Sequence, residues 1–425
     1  GYDTFNWLSN EALSNDNLKV RQAYWLYLGE KAFGLDMPWT FSIGRRPSTN
    51  GFLANLRDDD AAQSPLGHII NVEFDGLSSK LDLSKVTGVP GMSFKVCMGQ
   101  GSTNAAPMLS RVDGTQYSDT SDGNTSLEDI KLGGFIFEPY NDGQYIVKTT
   151  AFRAFDLPGF DSNAFFDAFN GESASMTQHG DIDGAAISVL VDGVTEDGYF
   201  ADVKLFGSFA WSKTRPDAGH QMLGVSVPNA AYGFTGQPEY ITMGAAPGES
   251  KTGHSYWFGA QLPVNIADEN YGKLGVEYNH GSEYWRPFDY AEDTMIGSKL
   301  AARGDAWEAY YTYNFSEALS MQVRYTNIDY DYAGSNGFFG SGGTPIAIDD
   351  VKAGAAGFDA YAGAAGITPD MTQEEMIGTL AGYLAGGAPT AETLNQAQGM
   401  VMMKGFSGSI VEAAQDLRFY IRYRF

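Results

Sequence analysis

The last strand-like segment of the chain shows the clearest alternation of apolar and polar positions. Two sets of side chains alternate there, one apolar or aromatic and one mostly cationic: Leu417, Phe419, Ile421, Tyr423 and Phe425, then Arg418, Tyr420, Arg422 and Arg424. A period of two places each set on one face of a β-strand. The apolar face would point to the core of a soluble protein or to the lipid around a barrel, and this segment alone fits both.

The same alternation recurs along the chain and predicts about fourteen strands. Their expected ranges are 1–7, 18–28, 38–46, 67–83, 90–100, 131–140, 143–155, 184–193, 199–212, 254–263, 270–282, 304–315, 319–332 and 415–425. Several have about ten residues or more, as a tilted membrane-spanning strand requires. Strands of globular proteins usually have about five or six residues.

The expected connections alternate between short and long. Counted back from a periplasmic C-terminus, the short ones are 316–318, 264–269, 194–198, 141–142, 84–89 and 29–37, and the long ones are 333–414, 283–303, 213–253, 156–183, 101–130 and 47–66. The connection 8–17 is an exception. Short periplasmic turns opposite long extracellular loops are typical of outer-membrane barrels.

These patterns predict an all-β fold, a transmembrane antiparallel up-and-down β-barrel of about 14–16 strands. We expect residues 1–425 to form a single barrel domain, with 333–414 as a long, partly helical extracellular insertion. Thr372 and Glu375 form a capping-box pattern there, and Pro389-Thr390 predicts the start of a second helix through Leu394. A surface decoration and an inward plug both remain open for this insertion.

Composition narrows the function. Aromatic residues are 14% of the chain, glycines number 52, and the net charge is −25, which argues against nucleic-acid binding. The five histidines lie in no recognisable nucleophile motif, so we expect no enzyme. No Cys-x-x-Cys-His motif is present, so the chain itself binds no c-type haem.

No cofactor is expected. Three acidic clusters could hold calcium, although none has the spacing of a dedicated calcium loop and solvated surface is the simpler interpretation: Asp58-Asp59-Asp60, Asp181 with Asp183, and Asp349-Asp350.

Four stretches carry a family resemblance: Phe41-Ser42-Ile43-Gly44-Arg45-Arg46-Pro47-Ser48-Thr49, Glu277-Tyr278-Asn279-His280-Gly281-Ser282-Glu283-Tyr284-Trp285, Arg303-Gly304-Asp305-Ala306-Trp307-Glu308-Ala309-Tyr310-Tyr311 and Asp329-Tyr330-Asp331-Tyr332-Ala333-Gly334-Ser335. The chain resembles a family of outer-membrane porin-like proteins of Gram-negative bacteria, catalogued as a domain of unknown function. The resemblance spans most of residues 18–335 and the last strand. It implies a barrel, but no substrate or catalytic residue.

The period-two argument places two sets of candidate residues. The channel-lining set is Lys19, Arg21, Lys204, Glu277, Glu308, Arg324, Arg418, Arg422 and Arg424. The set at the extracellular rim, which could form ion pairs or a binding site, is Arg45, Arg46, His280, Glu283, Arg303, Asp305, Asp329 and Asp331. Because acids are the minority in the first set, we expect residual positive charge along the channel wall.

We therefore expect an integral outer-membrane protein of a Gram-negative bacterium that acts as a porin-like channel for passive diffusion of ions or small hydrophilic solutes. The alternative is a barrel that sheathes a partner protein such as a multihaem electron-transfer cytochrome. The expected partners are outer-membrane lipid and lipopolysaccharide, the barrel assembly machinery, and small solutes or ions. A homo-oligomer is compatible with these expectations.

Overall fold

The computed structural model describes residues 5–6, 11–12, 22–47, 51–101, 130–161, 176–266, 269–289, 296–335, 337 and 339–424. One large sheet dominates them. Its thirteen main strands are β1 Ala23–Gly29, β2 Trp39–Pro47, β3 Glu73–Asp82, β4 Ser93–Gly101, β5 Ile130–Asn141, β6 Tyr145–Phe160, β7 Met176–Asp192, β8 Lys204–Pro216, β9 Thr252–Ile266, β10 Glu269–Gly281, β11 Gly304–Asn314, β12 Leu319–Tyr330 and β13 Ala413–Tyr423.

Each main strand pairs antiparallel with its neighbour in the chain, from β1 to β13. A fourteenth short strand, Phe339–Gly340, pairs parallel with the end of β6. The prediction of an all-β, up-and-down antiparallel architecture is confirmed. Within the described ranges β1 and β13 are the two edges of the sheet, and they run in the same direction, so antiparallel closure would need a further strand.

Of the expected first strand, 1–7, the structure describes Phe5–Asn6. These two residues are not part of the large sheet, and pair with Glu11–Ala12 in a separate two-stranded sheet. Pairing across so short a connection costs little loop-closure entropy, which favours the local partner. The expected start of the next strand, 18–21, lies outside the described residues.

The connections sort as the sequence predicts. At one end of the strands the connections have at most eleven residues (193–203). At the other end they have at least fifteen (161–175). We call these the turn end and the loop end of the sheet. A helix of one turn, Ser84–Thr87, and a 3-10 turn, Tyr199–Asp202, lie at the turn end. The second of these corrects the expected strand 199–212, which begins only at Lys204.

The two faces of the sheet differ in chemistry and in exposure. One face is apolar and exposed: Leu205, Val276, Trp307, Val323 and Phe419 are 41%, 41%, 53%, 38% and 61% exposed. We call this the outer face. The opposite, inner face carries both polar and apolar side chains, which are mostly buried from β6 to β12. The facing expected for β8, β10, β11, β12 and β13 therefore agrees with the observed alternation.

The period-two argument that places Lys19 and Arg21 in the channel also predicts that Trp25 and Tyr27 face inward, and this facing is wrong for β1. Trp25 lies opposite Ile43, which is on the outer face, and Leu26 lies opposite the buried Ser42. Trp25 and Tyr27 therefore share the outer face, whereas Leu26 belongs to the inner one. Ring contacts with aromatic residues of β2 accompany this arrangement, since the Trp25 and Phe41 ring centroids are 6.4 Å apart.

Residues 51–72 pack against the inner face, and we call them the inward segment. They contain the short strands Gly51–Phe52, Gln63–Leu66 and Ile70–Asn71 and the helix Asn55–Asp58. Ile70–Asn71 pairs with Phe288–Asp289 of the connection 282–303, which covers the same face. Leu53, Leu66, Ile69, Trp257 and Trp285, all 0% exposed, belong to the resulting core. This corrects the expectation that 47–66 is simply an extracellular loop.

The connection between β12 and β13 holds three helices, Ile348–Ala365, Gln373–Ala385 and Ala391–Ser407, which we call the helical insert. The Thr372 capping box is present, and Thr390 caps the last helix, which extends well beyond Leu394. The helices pack on the hairpin Gly224–Pro228 and Tyr240–Gly244 in a buried cluster that includes Val227 and Phe406. The alanine-rich helix 348–365 was missed because its composition resembles low-complexity sequence. A 3-10 turn, Ser341–Gly343, precedes the helices.

In the part of the chain that the structure describes, no helix is long and apolar enough to span a membrane.

Candidate functional site

The inner faces of β10, β11 and β12 carry charged side chains that are almost fully buried. Glu277 on β10 lies directly opposite Glu308 on β11, and Arg324 follows on β12. They are 2%, 3% and 5% exposed. Period-two alternation brings all three to one face. Neighbouring buried carboxylates require cations close by, because an unpaired buried charge costs several kcal/mol, on the order of 3–5.

Lys299, from the 3-10 turn Lys299–Ala301, supplies the first of these cations. Its Nζ lies 2.6 Å from Oε2 of Glu277 and 2.5 Å from Oε1 of Glu308. Trp257 Nε1 also donates to Oε2 of Glu277, at 3.0 Å. The alternating pattern of the strands does not predict the role of Lys299, because this residue belongs to a connection and not to a strand of the sheet.

The inward segment supplies further charges. Nη1 of Arg57 lies 3.6 Å from Oε1 of Glu308, and Nη2 of Arg324 donates to Oδ1 of Asp58 at 2.6 Å. Three acids therefore meet three bases in what we call the buried charge network: Asp58, Glu277, Glu308, Arg57, Lys299 and Arg324. The formal charges balance, as expected where water is largely excluded.

Glutamines on the wall also hold the backbone of the inward segment. Gln322 Nε2 donates to the carbonyl of Arg57 at 2.6 Å, and Gln261 Nε2 donates to that of Leu56 at 3.1 Å. These bonds supply donors to backbone carbonyls of the helix Asn55–Asp58. That helix is so short that most of its N–H and C=O groups have no partner within it. The inward segment is therefore tied to the wall through its main chain as well as through its charges.

The acidic cluster Asp58-Asp59-Asp60 meets the cations of the last strand. Arg422 Nη1 donates to Oδ1 of Asp60 at 3.0 Å, and Arg424 Nη2 donates to the carbonyls of Asp58 and Asp59, both at 3.0 Å. The expectation of residual positive charge along this wall omitted these three aspartates. They were interpreted as solvated surface, but the fold brings them to the inner face.

Neighbouring cations lower the pKa values of two acids of the inward segment. Burial alone would raise the pKa of Asp58, but Arg57 and Arg324 outweigh it, so that the pKa lies below its usual value. The pKa of Asp59 is lowered in the same way, by the hydrogen bond and charge of Lys273 against the effect of burial. Both carboxylates are therefore held in the charged form at neutral pH.

His68 anchors the other end of the inward segment. The imidazole is 0% exposed, and its Nδ1 and Nε2 lie 2.8 Å and 2.9 Å from the hydroxyls of Ser208 and Ser255 on the inner face. Burial lowers the pKa of His68 to about 3. The ring is therefore neutral at physiological pH, with both nitrogens beside hydroxyl groups that can donate or accept.

The remaining channel-lining candidates have distinct surroundings. Lys204 Nζ lies 2.6 Å from Oδ2 of Asp192, and Arg418 donates to the carboxylate of Asp416 on its own strand. A cavity of about 10 Å³, enough for a single water, is lined in part by Arg418 and the buried charge network. Lys19 and Arg21 lie outside the described residues.

The inner faces of β2, β3 and β4 differ from this packed region. Their side chains are small or polar, and include Ser42, Ser78, Lys80, Lys95 and Cys97. Ser42 and Ser78 are buried, Lys95 and Cys97 are half-buried, and Lys80 is exposed. Lys80 lies directly opposite Lys95 across the strand pair. Sequence reasoning missed both lysines, although the alternation with outward Leu77 and Val96 was a usable signal.

Several of the candidates at the extracellular rim form separate pairs. Arg45 makes two bonds to Asp75, with Nε at 2.7 Å from Oδ1 and Nη2 at 2.8 Å from Oδ2. The Nδ1 of His280 lies 2.9 Å from Oδ1 of Asp305, and Asp329 lies opposite Asp305 in register. All of these lie on the outer face at the loop end.

Arg303 is 0% exposed and is structural. Its guanidinium donates to backbone carbonyls, among them Trp285 O at 3.1 Å and Gly343 O at 2.8 Å, and so joins two loop-end connections. In the same connections Glu283 is half-buried and Asp331 is exposed. Of Arg46 only the backbone is described, opposite Phe74 in β3.

Further ion pairs lie on the outer face near the loop end, on strands other than those of the rim candidates. Asp183 binds both Arg153 and Arg215, with the Arg Nε atoms 2.5 Å from its oxygens, and Lys131 Nζ lies 2.9 Å from Asp156. These pairs lie above the apolar rows, toward the loop end. Sequence analysis found the acids Asp181 and Asp183 but not their partners, which are on neighbouring strands.

A search of curated proteins found no match. The family model described as "Protein of unknown function (DUF3373)" matches residues 1–371. The match covers β1 to β12 and the first helix of the helical insert, which includes every element that builds the buried charge network. The chain therefore belongs to the DUF3373 family.

Proposed function

We propose that this protein is an outer-membrane porin-like channel of a Gram-negative bacterium, for ions or small hydrophilic solutes, with an interior narrowed by the inward segment. The observation that carries the proposal is the inverted polarity of the sheet. Its outer face is apolar and exposed, whereas polar and charged side chains such as Glu277, Glu308 and Arg324 are buried on its inner face, beside an apolar core. A transmembrane β-barrel has this distribution, because lipid surrounds it and its interior is polar.

The limits of the apolar rows support a position in a membrane. On β12, outward Met321, Val323 and Tyr325 are followed toward the loop end by Asn327 and Asp329. On β7, the outward residues Val189 and Ile187 are likewise followed toward the loop end by Asp183, which pairs with Arg153 and Arg215. A charged row just beyond an apolar band suits the headgroup region, where charges are tolerated far better than at the membrane centre.

The inward segment favours a narrow channel over the sheath alternative. A barrel that sheathes a partner protein needs an inner face available to that partner. From β6 to β12 this face is instead covered by the chain itself, through the buried charge network and the core around Trp257 and Trp285. The inner faces of β2, β3 and β4, with exposed Lys80, offer the better route for solutes.

The single cysteine is a native probe of that route. Cys97 is on the inner face of β4, opposite Ser78. A membrane-impermeant, negatively charged methanethiosulfonate reagent should lower single-channel conductance in planar bilayers and shift selectivity toward cations, because it adds a fixed negative charge near Lys80 and Lys95. The Cys97→Ser variant should not respond. An equal response of both proteins would show that the reagent acts elsewhere.

Conductance also tests the role of the inward segment. Asp58→Asn with Asp60→Asn removes acids that hold Arg324 and Arg422, so the segment should loosen and conductance should rise severalfold. Asp349→Asn with Asp350→Asn, in the first turn of a helix of the helical insert, changes net charge equally and should leave conductance unchanged. If wild type and the Asp58/Asp60 variant, both folded by circular dichroism, give no ohmic steps, the channel proposal is wrong.

A further inference from the structure

Three side chains from separate parts of the chain meet at the loop end of the sheet. Asp161 directly follows β6, His179 lies near the start of β7, and His220 belongs to the connection 217–251. Each offers one ligand atom, and these atoms all lie within 4.8 Å of one another. His179 is 2% exposed, whereas Asp161 and His220 are half-buried, so the group is shielded on one side and reachable on the other.

The hydrogen bonds of His179 fix the direction of its lone pair. Its Nδ1 lies 2.6 Å from the carbonyl oxygen of Gln221, which can only accept, so Nδ1 carries the proton. In a neutral ring, Nε2 then presents a lone pair. That atom faces Oδ1 of Asp161 at 3.2 Å. Two acceptor atoms at this distance repel each other unless a proton or a metal ion lies between them.

The distances suit a small metal ion. Metal–nitrogen and metal–oxygen bonds of zinc are about 2.0–2.2 Å, so two ligands of a tetrahedral site lie roughly 3.3 Å apart. The Asp161–His179 separation of 3.2 Å matches one such edge. The His179 and His220 ring centroids are 5.0 Å apart with planes at 64°, which lets both rings turn a nitrogen toward a common point.

Supporting hydrogen bonds hold two of the three ligands in place. Thr177 Oγ1 donates to Oδ1 of Asp161 at 2.8 Å, and Ser341 Oγ donates to the Asp161 carbonyl at 3.1 Å. The bond from His179 Nδ1 to a backbone carbonyl is the usual way in which a protein orients a metal-binding histidine. Hydrogen bonds from neighbouring groups therefore hold two of the three candidate ligands, Asp161 and His179, in fixed positions.

We propose that Asp161, His179 and His220 bind a divalent transition-metal ion of the zinc class, with one coordination position left for water. Two imidazoles with one carboxylate favour zinc over calcium or magnesium, which prefer oxygen ligands. The ion would hold the connection 217–251 against β6 and β7, next to Met222 and Leu223 of the core. This site is distinct from the three acidic clusters that the sequence suggested for calcium.

The test uses the full-length protein, purified in detergent without a histidine tag and freed of metal with a chelator. Zinc titration by calorimetry should give one saturable site per chain, and cobalt should give the visible absorption bands of a tetrahedral complex. His220→Ala should weaken zinc binding by more than about 100-fold, since even outer-shell changes cost about 10–100-fold. Asp161→Asn should weaken it as well, and His254→Ala, a change at an exposed histidine of β9, should not.

Thermal unfolding provides a second readout. Zinc should raise the unfolding temperature of wild type and of His254→Ala, but not that of His220→Ala. His220 lies in a connection, and its ring makes no hydrogen bond to another residue in the described part of the chain, so the alanine variant should fold. Equal zinc binding by wild type, His220→Ala and Asp161→Asn would overturn the proposal, as would the absence of a saturable site in wild type. Neither result depends on whether the protein conducts ions.

Discussion

The outer and inner faces of the sheet have the same alternating backbone but opposite relations to their surroundings. On the outer face, Phe419 and Ile421 of β13 are 61% and 70% exposed although they are large and apolar. On the inner face, Glu277 and Glu308 are 2% and 3% exposed although they are ionisable. A soluble protein would reverse both assignments. In the proposed barrel, exposure on the outer face is exposure to lipid, and the inner face is covered by the inward segment and the connection 282–303.

The largest effect is expected on the inner side. Lys299→Met leaves Glu277 and Glu308 adjacent, with their shared cation removed, and should lower the free energy of unfolding by about 3–5 kcal/mol. The matched control is Lys352→Met, which removes an exposed ion pair with Glu412 and should cost about 0–1 kcal/mol. Denaturant titration of both variants in detergent checks the comparison. Equal small losses would mean that the buried charge network is not dry.

A smaller effect is expected on the outer side. Val323→Arg places a charge in the middle of an apolar row and should destabilise the protein in lipid by about 2–4 kcal/mol if the site is at the midplane. Asn327→Arg, on the same face of the same strand but nearer the loop end, should cost about 0–1 kcal/mol. Unfolding titrations in lipid vesicles measure both. If the two substitutions cost the same, the outer face has no apolar band at β12.

Acid should act on the inner side through His68. Its pKa is about 3 in the folded protein and near 6.5 when unfolded, so the unfolded chain binds the proton first. The contribution of neutral His68 to the free energy of unfolding is therefore fully present above pH 6.5, and it is lost as the pH drops toward 3. The expected loss is up to about 2 kcal/mol between pH 6.5 and 5, at 1.36 kcal/mol per unit. His68→Gln should lose this part of the pH dependence in unfolding titrations, and His254→Gln should retain it.

The sequence predicts well which strand residues share a face of the sheet, and poorly which residues pack on the inner face. The reason is physical. Alternation along β8, β10, β11, β12 and β13 is local, since each strand reports its own two faces. The partners of the inner face are not local. Asp58 and Arg324 are 266 residues apart, and neither strand pattern nor loop length indicates that they meet. The acidic residues 58–60 therefore looked like solvated surface.

Two further differences show where local patterns mislead. In β1 every side chain from Ala23 to Leu28 is exposed, so apolar character does not separate the faces, and the expected facing of Trp25 was inverted. The cluster of Asp161, His179 and His220 was not predicted, because its members are separated by 17 and 40 residues in no recognised motif. Only the pairing of β6 with β7 and the return of the connection 217–251 bring them together.

Spin labels along β12 test the central claim, that the outer face lies in lipid, most directly. Single cysteines at positions 321 to 326, in the Cys97→Ser background, would each carry a nitroxide in the protein reconstituted into vesicles. Accessibility to oxygen, which concentrates in lipid, should peak at positions 321, 323 and 325, and the intervening inner positions should be protected from it. Greater access at 321, 323 and 325 to a water-soluble nickel chelate than to oxygen would contradict the account.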